Sequence, residues 1–271
     1  MLESVTLGAG LSTAEDPWVV HLDAGIQEHW GSARWAVPEI GSLIESWPRL
    51  KRVKLSTRLF ERIAGYPDSA LTFWTCRLKS FELALIKNAR VSFRYLDRLL
   101  ASSTETLTDL RLTEHQMDLP ELIQLLEKFG SNLRRLETTT NDFHQQSNLV
   151  EIITRTCFRL ESLVLGSPVD PREALDSLSG VKSLTAVSLE VGRLDRAVLS
   201  STYTTQISFI VNTTTEALAR FSNLKALELT WRTTPWSGEH GQVQEIDLSD
   251  AIQARQQGFK APSVKIKVTY S

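Results

Sequence analysis

The sequence predicts an α/β fold: a curved, right-handed solenoid with short parallel strands on its inner side and helices on its outer side. The first observation is a motif, Leu-x-x-Φ-x-Leu with Φ apolar, which recurs at intervals of a few tens of residues. Its copies begin at Leu50, Leu78, Leu107, Leu133, Leu160, Leu184 and Leu224. The second observation is that stretches with helical spacing of apolar residues precede most copies. Strands separated by helices pair in parallel through right-handed crossovers, and repeating that step produces a solenoid.

Each copy of the motif predicts one brief strand. The motif is too short for a helix, and its end alternates apolar with polar residues, as a half-buried strand does. The copy that begins at Leu133 is imperfect because Thr138 stands where the last leucine is expected. The largest interval, between Leu184 and Leu224, contains a Ser- and Thr-rich insertion at about 195–212.

The helices are predicted from apolar residues three and four positions apart. Pro120 suits a first helical turn, and Gly130 is a signal for the end of the same helix. Ser147 and Glu151 suit the beginning of another helix. The predicted helices are Val37–Trp47, Val91–Ser102, Leu119–Phe129, Ser147–Thr156, Pro171–Leu178 and Thr215–Phe221.

We expect the whole chain, 1–271, to form a single repeat domain. Residues 48–230 are its core repeats, 1–47 are irregular amino-terminal repeats or a cap, and 231–271 are irregular carboxy-terminal repeats or a cap. The alternation of Val264, Ile266 and Val268 predicts a last edge strand.

The motifs and their helices resemble leucine-rich repeats of the longer, helix-bearing type. Cys76-Arg-Leu78 and Cys157-Phe-Arg-Leu160 resemble the approaches to repeats in F-box proteins, especially those of fungi. The resemblance covers about 48–230 and implies a leucine-rich-repeat solenoid that recognises proteins without catalysis. It also implies a substrate receptor of a ubiquitin ligase with an adaptor partner, although no F-box segment is visible in this sequence.

Composition and charge narrow the classes of partner. A net charge of −2 and a pI of about 6.2 give no general attraction to nucleic acid. We interpret a small basic cluster, Arg49, Lys51, Arg52 and Lys54, as a solvated edge. No signal peptide or long apolar run is visible, so we expect no membrane partner and a cytoplasmic or nuclear location. Cys76 and Cys157 are expected to be buried, unbridged residues in equivalent layers.

The residues between the apolar positions of the motif are predicted to face the concave side of the solenoid. Seven of them form the candidate binding face: Lys54, Glu82, Arg111, Glu137, Val164, Ser188 and Glu228. The first four should stand side by side with alternating charge. This row is either a solvated strand face or a patch that recognises a protein.

Trp231 and Trp236 are candidate anchors of a rim loop beside Pro235, although packing is the competing interpretation. Because the charges of the first four concave residues cancel, we expect a partner to use the second half, the insertion or this loop. No catalytic, cofactor-binding or metal-binding motif was found. We therefore expect a recognition scaffold whose protein partner the sequence does not identify. The alternatives are a regulator of an enzyme, such as the leucine-rich-repeat activators of small GTPases, and a truncated repeat fragment.

Overall fold

The fold is described from a computed structural model of the chain. The described residues are 6–7, 19–22, 50–56, 75–84, 93–113, 118–139, 146–194, 215–216, 218–233, 243–247 and 263–270. They belong to two compact units, unit 1 over Met1–Thr140 and unit 2 over Asn141–Ser271. Both units are of the α/β class, with parallel strands and intervening helices.

Unit 1 contains a parallel sheet whose strands are adjacent in the order of the chain. Each motif in this unit supplies one strand, as the sequence predicts. The strands are β1 (Thr6–Leu7), β2 (Val19–Leu22), β3 (Arg52–Ser56), β4 (Ser80–Ala84), β5 (Asp109–Thr113) and β6 (Arg135–Thr138). Among the described residues of this unit, the helices are α1 (Phe93–Leu100) and α2 (Leu119–Phe129), which pack against each other. A short 3-10 turn follows each helix, at Ala101–Ser103 and at Gly130–Asn132.

The first described element of unit 2 is α3 (Gln146–Thr156), which packs against α4 (Pro171–Leu178). Its strands are β7 (Ser162–Pro168), β8 (Ala186–Leu194), β9 (Ala226–Thr233), β10 (Val243–Asp247) and β11 (Ser263–Tyr270). Strands β7, β8, β9 and β11 are parallel neighbours in that order. Strand β10 lies beyond β11 and runs antiparallel to it.

The core combines the apolar positions of the motif with the apolar faces of the helices. The first leucines of all seven copies are buried, and Leu78, Leu107 and Leu160 have no exposed surface. Described residues at the Φ position and at the final leucine of the motif, such as Phe81 and Leu83 of β4, are also buried. Burying a leucine side chain contributes about 1.5–3 kcal/mol relative to leaving it exposed, so each motif supplies a block of core.

Local signals explain where the helices begin and end. In α2, Leu122, Leu126 and Phe129 lie on one buried stripe, and the N–H of Gly130 still donates to the carbonyl of Leu126. At the start of α4, Asp170 Oδ1 accepts hydrogen bonds from the N–H groups of Arg172 at 2.8 Å and Glu173 at 3.2 Å. These bonds satisfy two amide donors that have no partner within the helix. The predicted bounds of α2 and α4 are confirmed, and α1 ends two residues earlier than predicted because the chain tightens there into the 3-10 turn.

A repeated backbone joint connects successive motifs. The carbonyl of the second motif residue accepts two N–H groups, from the second and third residues of the next motif. In unit 1 the carbonyl of Lys51 accepts from Lys79 (2.7 Å) and Ser80 (3.0 Å), and the carbonyl of Lys79 accepts from Thr108 (2.8 Å) and Asp109 (3.0 Å). The same joint recurs from Thr108 to Arg134 and Arg135, from Glu161 to Thr185 and Ala186, and from Thr185 to Lys225 and Ala226. The joint fixes the register in which consecutive strands start.

Two predictions about the carboxy-terminal part are wrong. The segment with Val264, Ile266 and Val268 is not an edge strand, because β11 lies between β9 and β10. Alternation identifies a strand but not its neighbours, which depend on tertiary pairing. Trp231 is not in a loop, because it pairs with Gly192 of β8 and with Val268 of β11. The insertion at 195–212, Trp236 and the helix predicted at Val37–Trp47 lie outside the described residues.

Candidate functional site: the outward face of the sheet

Four charged side chains of unit 1 form a row on the face of the sheet opposite the buried apolar residues, here called the outward face. This set, the charge row, consists of Lys54, Glu82, Arg111 and Glu137. The strand register aligns Lys54 with Glu82, Glu82 with Arg111, and Arg111 with Glu137. The predicted row is therefore present, one residue on each of β3 to β6. Whether it binds a protein stays a prediction.

The charge row neutralises itself. Lys54 Nζ lies 2.7 Å from Glu82 Oε1, and Arg111 lies 3.9 Å from carboxylate oxygens of both Glu82 and Glu137. All four side chains are partly exposed, from 25% for Glu82 to 46% for Lys54. Water therefore screens the pairs, and each contributes about 0–1 kcal/mol. The row helps to hold the register of the strands but presents little net charge.

A second outward row lies one pleat nearer the amino-terminal ends of the same strands. It consists of Arg52, Ser80, Asp109 and Arg135, which are aligned by the same register. Arg135 Nε lies 3.6 Å from Asp109 Oδ1. This row carries one net positive charge, so the face becomes more basic towards this edge.

In unit 2 the predicted residues also share one row, but the row is mostly uncharged. The register aligns Val164 with Ser188 and Ser188 with Glu228. The three side chains are half-buried. The row continues to Lys265 of β11, which is aligned with Glu228 and exposed. Sequence reasoning missed Lys265, although its place between Val264 and Ile266 marks it as outward-facing.

Polar residues directly before the first leucine of the motif form a second set of joints that sequence reasoning missed. Thr106 Oγ1 donates to the carbonyl of Leu78 at 2.8 Å, and Ser183 Oγ donates to the carbonyl of Leu160 at 2.8 Å. Asn132 and Asn223 donate through Nδ2 to carbonyls of the preceding repeat, those of Thr104 and Lys182. The recurrence of Thr, Asn, Ser and Asn at one motif position was the available signal.

Thr138 leaves an unpaired polar group in the core. Its side chain is fully buried where the motif expects leucine, and its hydroxyl has no hydrogen-bond partner. The hydroxyl of the next residue, Thr139, is also buried and unpaired. An unsatisfied buried hydroxyl destabilises a fold by about 1–3 kcal/mol.

Both cysteines are buried and free, as predicted. Burial is the main cause that raises the pKa of Cys76 to about 11, against smaller lowering effects from a backbone hydrogen bond and Lys51. Burial likewise raises the pKa of Cys157 to about 11, opposed by a hydrogen bond with Thr156. Both thiols are therefore protonated at neutral pH, which disfavours nucleophilic reaction.

Within the described part of the chain, His, Cys, Asp and Glu side chains form no cluster of three that could hold a metal ion. Among the described helices, none has both the length and the apolar character needed to cross a bilayer.

No protein-family model matches this chain, and no curated protein matches it either. The geometry of the sheet and the residues on it therefore carry the functional argument.

Proposed function

We propose that this chain is a leucine-rich-repeat solenoid that serves as a non-enzymatic scaffold for recognising another protein. The proposal is supported by a repeated pattern: each copy of the motif supplies one strand, and the same backbone joint connects successive copies within each unit. Repeat architectures of this kind build extended surfaces suited to protein partners.

The single observation that carries the proposal is the alignment of outward residues across neighbouring strands. Four residues in unit 1 and four in unit 2 are in register, one on each strand. Adjacent positions lie about 4.8 Å apart, so a row of four spans about 14 Å. A flat, partly polar surface of this kind can be contacted by several side chains of one partner at once.

The absence of catalysis is part of the proposal. The ionisable groups of the charge row pair with one another along the open strands, and the two thiols are buried and protonated. Catalytic groups instead need access to a substrate and a pKa suited to proton transfer or attack.

Cross-linking of captured partners with a lysine-reactive reagent tests the proposal. Lys54 and Lys265 lie on the outward rows, while Lys128 lies on α2. We expect cross-links from a specific partner at Lys54 or Lys265. A partner that is cross-linked only through Lys128 would show that the helical side is the binding surface.

A matched pair of variants provides the second test. Glu137→Lys changes the charge row, and Glu127→Lys makes the same substitution on an exposed position of α2. We expect the first variant to weaken capture of the partner and the second to leave it unchanged. Loss of capture in Glu127→Lys alone would contradict the proposal.

The resemblance to F-box proteins supports a narrower version, in which the scaffold presents its partner to a ubiquitin ligase. Co-purification of ligase subunits with the chain tests this version. If partners are captured without ligase subunits, the ligase role is wrong while the recognition role stands.

A further inference from the structure

The structure gathers basic residues from separate motifs at the amino-terminal edge of the sheet in unit 1. We call this set the basic strip: Lys51, Arg52, Arg77, Lys79, Arg134 and Arg135. Five of the six are exposed, and Lys51 is half-buried. In the sequence the six residues form three pairs, each near the start of a different motif: Lys51 with Arg52, Arg77 with Lys79, and Arg134 with Arg135. The backbone joint, which bonds Lys51 to Lys79, Lys79 to Thr108 and Thr108 to Arg134, brings the three pairs to the same edge.

Charge rises steadily towards this edge. The charge row is neutral, the row of Arg52, Ser80, Asp109 and Arg135 has one net positive charge, and the set Lys51, Lys79, Thr108 and Arg134 has three. The carboxylate of Asp109 pairs with one residue of the strip, Arg135, and Arg52 and Arg134 also take part in interactions of their own. Among described residues, no carboxylate pairs with Lys51, Arg77 or Lys79. The whole chain, by contrast, has a net charge of −2.

The backbone at this edge is already occupied by the joints. The carbonyls of Lys51, Lys79 and Thr108 each accept hydrogen bonds from two N–H groups. These N–H groups are therefore not available to bind a phosphate. The positive charges are instead spread from β3 to β6, over about 14 Å at the usual strand spacing. A spread of side-chain cations fits several separate anionic groups better than one compact anion.

We propose that the basic strip binds an extended acidic segment of a protein partner, one rich in Asp and Glu. This inference rests on the proposed recognition function and names the chemistry of the partner. A strip of about 14 Å matches roughly four residues of extended chain. From sequence we interpret the cluster around Lys51 and Arg52 as a solvated edge. In this proposal the cluster belongs to the larger basic strip.

An acidic peptide is favoured over nucleic acid and over a membrane. Binding of single-stranded nucleic acid relies on exposed aromatic residues for stacking, and shallow membrane binding relies on exposed apolar residues. Among described residues, the only exposed large hydrophobic side chain is Phe158, which belongs to unit 2. The described part of the strip therefore offers charge without a stacking or insertion group.

The test measures binding of fluorescein-labelled peptides to the full chain by anisotropy. The probe has about eight residues with Glu at alternate positions, long enough to span the strip at about 3.3 Å per residue. Its control has Gln in place of Glu. We expect the Glu peptide alone to bind, and its affinity to fall between about 50 and 200 mM NaCl because salt screens exposed charges.

Two matched double variants locate the binding. Lys51→Glu with Lys79→Glu reverses two charges of the strip, and Lys182→Glu with Lys225→Glu reverses two charges in unit 2. We expect the first pair to weaken binding about ten-fold or more, and the second by less than about two-fold. Circular dichroism on both variants checks that the fold is intact. If Lys51→Glu with Lys79→Glu unfolds the chain, Arg77→Gln with Arg134→Gln replaces it.

Three results would overturn the inference: no binding of the Glu peptide, equal weakening by both double variants, or tighter binding of a mixed-sequence oligonucleotide or of phosphatidylserine vesicles at the same salt concentration. The proposed function is separable from this result. If a captured partner still cross-links to Lys54 or Lys265 in the Lys51→Glu, Lys79→Glu variant, the scaffold role stands. The proposal that the basic strip binds an acidic segment of the partner is then wrong.

Discussion

The hydroxyl of Ser103 accepts a 2.9 Å hydrogen bond from the backbone N–H of Leu78, the first leucine of the second motif. The same hydroxyl donates to the carbonyl of Cys76 at 3.3 Å. Ser103 is fully buried in the 3-10 turn after α1. One side chain therefore satisfies two backbone groups of a segment more than twenty residues away, and it holds the approach to β4 against the end of α1.

Replacing Ser103 with alanine should destabilise the fold by about 1–3 kcal/mol, because the N–H of Leu78 would lose its bond while buried. Ser102→Ala is the matched control, since Ser102 is exposed in the same turn. Urea unfolding followed by circular dichroism measures both. Equal stabilities of the two variants would show that the Ser103 bonds contribute nothing.

Replacing Thr138 with valine should stabilise the fold by about 1 kcal/mol. Valine has nearly the same shape, and it removes a buried hydroxyl that has no hydrogen-bond partner. Thr108→Val is the comparison, because the hydroxyl of Thr108 donates to the carbonyl of Lys79 at 3.1 Å. The same substitution should therefore change the free energy of unfolding in opposite directions at the two positions. Destabilisation by Thr138→Val would indicate that its hydroxyl is satisfied in solution.

Replacing Arg111 with glutamate should lower stability by about 1 kcal/mol at low salt, because it loses two attractions and places three carboxylates side by side. The loss should shrink at about 0.5 M NaCl, where screening is strong. Arg111→Gln removes the attractions without adding repulsion, so its effect should be smaller. A penalty for Arg111→Glu that does not depend on salt would indicate a packing role for Arg111.

The buried thiols should make stability fall between about pH 9 and pH 11. The pKa of each thiol is raised from 9.0 to about 11 in the folded chain, so above pH 9 the unfolded chain releases protons that the folded chain retains. The stabilisation is therefore complete below pH 9 and is lost as the pH rises through 11. Comparing the pH slope of the unfolding free energy in wild type and in Cys157→Ala isolates this effect. An unchanged slope would contradict it.

Because both thiols are buried and have a raised pKa, we expect slow alkylation of the native chain. With a pKa of about 11, about one thiol in a thousand is ionised at pH 8. Iodoacetamide labelling, followed by mass spectrometry, should be slow in buffer and fast in urea. Fast labelling of native Cys157 would show that the thiol is accessible.

The strands and helices of the middle of the chain could be predicted because local signals and burial agree there. Leu122, Leu126 and Phe129 mark the buried face of α2, and Leu110 and Leu112 mark the buried face of β5. The register of the charge row followed from the motif itself, since the residue between two buried positions must face the other side.

Other features depend on tertiary pairing, which local patterns do not contain. Trp231 lies in β9 because strands on both sides pair with it, whereas the nearby Pro235 predicts a loop that begins a few residues before the strand ends. The basic strip was likewise hidden, because Lys51 and Arg134 become neighbours of one edge only through the joints between motifs. The bridging role of Ser103 required the packing of α1 against the loop before β4.

The backbone joint uses the carbonyl and N–H groups of the second motif residue, whereas the side chain of that residue contributes to the surface of the edge. The second motif residue is Lys, Lys, Thr, Arg, Glu, Thr and Lys in the successive copies, and the bonds of the joint use only its carbonyl and N–H groups. The threonines add a hydroxyl bond to the carbonyl of the preceding joint residue, as Thr108 does to Lys79 and Thr185 to Glu161. Every residue type except proline offers both a carbonyl and an N–H group. Single substitutions at the lysine positions can therefore change the charge of that edge while the backbone bonds of the joint are kept, in evolution or by design.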